Sequence, residues 1–258
     1  MTVTLALSTI EVIMLAGVRI AAFLVIAPPF ASRAVPGRVK AMLALGLGLA
    51  VSPRAGSAPG AGGSIAAGTA SFLGDLVMQV LIGGALGFLV ALAFAAVQAA
   101  GSLIDLFGGF QLAAAFDPAN MSNGAQFSRL YQMTAVVLLV ASDAHQLVIG
   151  GLLRTFETLP LGTGLDLAKM GVAATEGLTQ MFLAALQIAG PLIVVLFLAD
   201  VGLGLLTRVA PALNAFALGF PLKILLTITL SVMAYLALPG VVEAVTGTAV
   251  EDVLRVGR

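Results

Sequence analysis

Five long apolar runs, at roughly 9–30, 72–100, 130–153, 178–199 and 222–242, dominate this chain of 258 residues. Each is about long enough to cross a bilayer core of about 30 Å as a helix. A sixth run, 39–51, has only 13 residues. With 60% hydrophobic and 9% charged residues, the chain lacks the polar surface that a soluble domain of this length shows to water. The fold class that follows is an all-α integral membrane protein of about six long hydrophobic helices, some broken or hairpin-like.

Two of the runs have the wrong length for simple spans. Residues 39–51 make about 20 Å of helix, too short to cross unaided, whereas 72–107 as one helix extends beyond about 50 Å. Either the long run tilts and the short one is re-entrant or interfacial, or both helices are surrounded by protein instead of lipid. Charge does not settle orientation. Arg33, Arg38, Lys40, Arg129, Arg208 and Lys223 fall on one side of a six-crossing topology, against Arg54, Arg154, Lys169, Arg255 and Arg258 on the other. Six against five is no bias of the positive-inside kind.

Residue types remove several chemistries. There are no cysteines, hence no disulfides, thiolate metal sites or Cys nucleophiles, and His145 is the one histidine. No nucleophile, base and orienting group can be assembled into a catalytic set, so no enzyme and no cofactor are expected. A formal charge of zero gives no reason to expect nucleic acid. Residues 1–10 hold no Lys or Arg, and Glu11 and Arg19 interrupt the first run. The first run therefore reads as retained and not as a cleaved signal.

Composition marks residues 52–71 as a linker, opening on Ser52-Pro-Arg-Ala-Gly-Ser-Ala-Pro-Gly-Ala-Gly-Gly-Ser64, and 154–177 as a second, polar connection. Gly83, Gly87, Ala91, Ala95 and Ala99 recur every four positions, a stripe on which another helix can approach closely, with Gln98 beside it as a hydrogen-bonding group. The stretch 199–223 places Asp200, Arg208, Asn214 and Lys223 among Gly202, Gly204, Pro211, Gly219 and Pro221, between two apolar runs. Charges near membrane depth need protein partners or a pathway to line. Asp200 and Arg208 read as a salt link or an interchain contact.

Residues 108–127 are the most informative loop. Gly108, Gly109, Pro118 and Gly124 break regular structure, yet the stretch carries Phe110, Leu112, Phe116, Met121 and Phe127. Exposing that much apolar surface on a loop is unfavourable, and long ordered loops are often functional. Two readings stand: a loop packed on its own subunit, or a soft apolar plug that seals a pore.

Four segments together resemble the FliR family of flagellar and type III secretion export-gate proteins. They are Ala27-Pro-Pro-Phe-Ala-Ser-Arg-Ala-Val-Pro-Gly-Arg-Val-Lys40; Gly83-Gly-Ala-Leu-Gly-Phe88 running into Phe94-Ala-Ala-Val97; Phe116-Asp-Pro118 followed by Ser128-Arg129; and Gly202 to Leu222 with its Asn214, Phe220 and Pro221. The resemblance covers nearly the whole chain in the family's order. Departures are the missing aromatic residues near the N-terminus, and Asp200 and Thr207 where less polar or amide-bearing residues are expected.

The resemblance implies a single export-gate domain over 1–258 that packs with FliP and FliQ into a hetero-oligomeric assembly in the inner membrane, at the flagellar basal body. FlhB and FlhA are implied as further partners, and unfolded flagellar proteins as the cargo. It also implies a pore plug at Phe110, Leu112, Phe116, Asp117 and Pro118, with Gly108 and Gly109 as its hinge. Subunit packing is expected at Gly83, Gly87, Ala91, Ala95, Gln98, Arg33, Arg38, Arg208, Asn214, Phe220 and Pro221. A small-solute secondary transporter is the competing expectation, because such proteins bind substrate at interrupted helices.

Overall fold

The computed structural model describes residues 2–32, 35–57, 67–111, 125–210 and 215–255. Every regular element among them is a helix: α1 (Thr2–Ile26), α2 (Gly37–Ala55), α3 (Thr69–Phe107), α4 (Gln126–Ala141), α5 (Ala144–Thr158), α6 (Leu167–Val209) and α7 (Ala215–Arg255). Four of them, α1, α3, α6 and α7, are long and apolar enough to cross a membrane. The pair α4 and α5 passes the same test only when taken together, as a broken span or a re-entrant loop, with Asp143 at φ 56 where the two helices meet.

The helices exceed the apolar runs in predictable directions. The 13-residue run becomes a 19-residue helix because Gly37-Arg38 and Ser52-Pro53-Arg54-Ala55 join α2 at its ends. The linker thus starts after Ala55 and stops at Thr69, later and earlier than composition placed it. The polar connection shrinks to 159–166. Polar and charged residues around it extend α5 and α6, and Asp166 Oδ1 accepts the backbone N–H of Ala168 at 3.0 Å and of Lys169 at 3.2 Å. That is a helix N-cap, which satisfies donors the first turn leaves open. The break at 199–223 also narrows, since Gly202, Gly204, Gly219 and Pro221 all lie inside α6 or α7. Gly and Pro are tolerated inside membrane helices.

The chain forms two compact units: residues 1–93, 139–178 and 245–258 in the first, 94–138 and 179–244 in the second. In the first unit α1 buries Val12, Leu15, Ala16, Ile20, Phe23 and Leu24, a single stripe at helical spacing. Against it lies α2, which buries Ala44, Gly48, Val51 and Ala55. Small residues set how close the two come: a Cβ on Gly48 would sit 3.1 Å from the Gly17 nitrogen. The N-terminal part of α3 meets α1 in the same manner at Gly83 and Gly87. In the second unit Phe94, Val97, Ala100 and Ile104 of α3 are buried, as are Phe127, Tyr131 and Ala135 of α4 and Ala185, Ala189, Leu192 and Leu196 of α6.

Candidate functional site

The second unit holds the two ends of the loop that the sequence singles out. Helix α3 stops at Phe107, where the Gly108 N–H donates to the Ile104 carbonyl at 2.8 Å. Gly109 follows with φ 83, a left-handed conformation open to glycine and strained for other residues. At Gly108 the need is for space, because an added Cβ would lie 2.7 Å from Thr227 Oγ1. Phe220 covers Gly109, with its ring 3.5 Å from where a Cβ would stand. Two residues expected in different roles, a hinge glycine and a subunit-packing phenylalanine, therefore meet within this chain.

Beyond that turn, Phe110 is half-buried and lies edge-to-face on Phe127, with ring centroids 5.2 Å apart, and Phe127 in turn meets Tyr131 at 6.5 Å. Asp105, fully buried two residues before the end of α3, receives the N–H of Phe127 on Oδ1 and of Ser128 on Oδ2, both at 2.9 Å. Ser102 Oγ lies 3.1 Å from Ser128 Oγ. Asp105 is not among the residues that the sequence singles out. A signal was present: it is the only charged residue between Asp75 and Asp117.

Leu112, Phe116, Asp117 and Pro118, with Arg33 and Asn214, lie outside the described residues. Of the remaining expected packing residues, Arg38, Gln98, Arg208 and Pro221 are exposed and Ala91 and Ala95 half-buried. Gly83 and Gly87 face α1 of the same chain. A Cβ on Gly83 would collide with the Arg19 carbonyl, and one on Gly87 would lie 3.0 Å from the Phe23 carbonyl. Asp200 pairs with Lys223 at 2.7 Å and not with Arg208. That link joins α6 to α7 from either side of residues 210–214.

The first unit contains a buried arginine. Arg19, on the α1 span, donates from Nε to Gln79 Oε1 at 2.7 Å and from Nη1 to the Leu159 carbonyl at 2.8 Å. Its guanidinium also lies 4.4 Å from the centre of the Phe156 ring. The planar fork allows hydrogen bonds at its edge and stacking on its face at once.

These features define a class. This is a helical membrane protein in which charged groups tie elements to one another within each unit, and in the second unit aromatic rings and a buried carboxylate close the base of a loop. Residues 10–249 match the model of bacterial export proteins, family 1, and the chain belongs to that family, the FliR family of membrane-embedded export proteins. It is 38% identical over 218 residues to the flagellar biosynthetic protein FliR of Escherichia coli K12, covering 84% of this chain and 81% of that protein. It is 28% identical over 176 residues to the FliR of Bacillus subtilis, covering 67% of this chain and 68% of that protein. The secretion system apparatus protein SsaT of Salmonella typhimurium is 31% identical over 166 residues, 62% of this chain and 64% of its own length.

Proposed function

We propose that the chain is a core subunit of the flagellar type III protein export gate. With FliP and FliQ it forms the inner-membrane channel, at the flagellar basal body, through which unfolded flagellar proteins are secreted. FlhB and FlhA are further partners. The observation that carries this reading is the family match over residues 10–249. The flagellar reading is supported by the matches at 38% and 36% identity, each over 84% of the chain, to two flagellar relatives; flagellar relatives at 28% and 24% overlap SpaR and SsaT at 28% and 31%, so identity alone does not separate the two apparatuses. A small-solute transporter would leave that match unexplained.

The chain is a conduit component and not an enzyme. Its sequence has no G-x-x-x-x-G-K-[ST] loop, so the energy for transport comes from other subunits. Leu112 and Phe116, with Phe110 at their base, close the pore as a plug, and Asp117 and Pro118 set its turn. A narrow apolar constriction excludes ions by dewetting. An arriving unfolded polypeptide parts such a seal at little cost, because its own apolar groups replace the contacts it breaks. Shortening 110–116 in the purified, bilayer-reconstituted complex should make it leak ions while export partly survives. Unchanged conductance in that variant overturns the plug.

A further inference from the structure

We infer that Asp105 is the positioning residue of a clasp that holds both ends of the proposed plug segment on one base, resting on the plug reading above. The first two N–H groups beyond the start of α4 have no partner inside their own helix, as at any helix N-terminus. Such donors are usually met by a residue next to them in sequence. Here both are met by one carboxylate 22 and 23 residues upstream, one oxygen for each donor at 2.9 Å. A fully buried carboxylate is strongly unfavourable unless hydrogen-bonded. The positive end of a helix dipole together with two directed N–H bonds is a setting that stabilises it. Asp105 thus fixes the start of α4 on the end of α3.

Three further contacts act at the same place. A Cβ on Gly101 would lie 2.6 Å from Ser128 Cα and 2.7 Å from the Phe127 carbonyl oxygen, so the two helix backbones touch there. Ser102 and Ser128 meet through their hydroxyls. Phe110, on the near side of the segment, stacks edge-to-face on Phe127, on its far side. Residues 110 and 127 are therefore joined through space whatever occupies the sequence between them. On the plug reading, the two anchors stay together whatever passes between them. The entropic cost of bringing residues 110 and 127 together is then met once, on folding, and not each time substrate passes.

The test uses the complete gate complex in a bilayer, with partner subunits free of cysteine. Asp105→Ala and the milder Asp105→Asn, whose amide presents one acceptor where the carboxylate has two, should each raise resting ion conductance several-fold. The chain has no native cysteine, so Phe110→Cys with Phe127→Cys can be bridged by a short bismaleimide. Bridging should lower conductance in the Asp105→Ala background and leave export running when Asp105 is present. Export blocked by the bridge overturns the clasp, because the ends must then separate. So does wild-type conductance in an assembled Asp105→Ala or Asp105→Asn complex. If neither Asp105 variant assembles, the bridge with Asp105 intact decides alone. Failure of the plug is distinct: the shortened-loop complex stays tight. A leaky shortened loop beside a tight Asp105→Ala complex rejects the clasp and keeps the plug.

Discussion

At the scale of single residues, two kinds of side chain hold the first unit together: very small ones and one very polar one. Gly83 and Gly87 let α3 approach the α1 backbone closely: a Cβ at 83 would collide with the Arg19 carbonyl, and one at 87 would crowd the Phe23 carbonyl at 3.0 Å. Leucine at position 87 must push the helices apart, and overpacking of this sort costs about 1–3 kcal/mol. Gly87→Leu should therefore lower the thermal stability of the detergent-solubilised chain and reduce its co-purification with FliP. Gly74→Leu, where a Cβ meets nothing within 4 Å, should do neither. Equal behaviour of the two variants would reject the close-packing role. Arg19 bonds Gln79 and the Leu159 carbonyl with its edge while its face lies on Phe156. Lysine offers a point charge with no fork, so Arg19→Lys should lose at least one charge-assisted bond, about 1.5–3 kcal/mol. A melting curve unchanged by Arg19→Lys would show that the guanidinium geometry is not used.

At the scale of elements, α3 has 39 residues and is about 58 Å long. To stay within a core of about 30 Å it would have to tilt by about 60°, beyond the usual range of about 0–40°. The length anomaly was legible in the sequence because a single apolar run without Pro or paired charges has nothing to stop it. Helix ends were less legible. Residues such as Arg54, Lys169 and Arg208 look like loop residues to a hydropathy reading, yet they extend helices through caps and exposed faces that depend on neighbours in space. Asp166 is one such cap. Replacing it with alanine should cost about 0.5–2 kcal/mol and fray the first turn of α6. Hydrogen exchange at Ala168 and Lys169 should accelerate while the middle of α6 stays protected, and unchanged exchange there would contradict the assignment. The loop of 108–127 was recognisable from its glycines and phenylalanines. What anchors it was not, because Asp105 caps a helix that begins 21 positions later in sequence.

At the scale of the whole molecule, burial is uneven. About half of the candidate spans in α1 and α3 is buried within the chain, 50% and 56%, against 22% in α6 and 17% in α7. Phe182, Phe197, Leu225, Met233 and Leu236 are exposed on these two helices, which need lipid or other subunits as their solvent. On the export-gate reading that solvent is mainly FliP and FliQ. A photo-crosslinking amino acid at Phe197 or Leu236 should give adducts with those partners in intact membranes, and adducts with lipid alone would argue against it. The most direct measurement is blue-native electrophoresis of this chain co-expressed with FliP and FliQ. The account predicts that it migrates in one discrete complex with both partners and is unstable or aggregated without them. A chain that runs as a stable lone species in either case would contradict it.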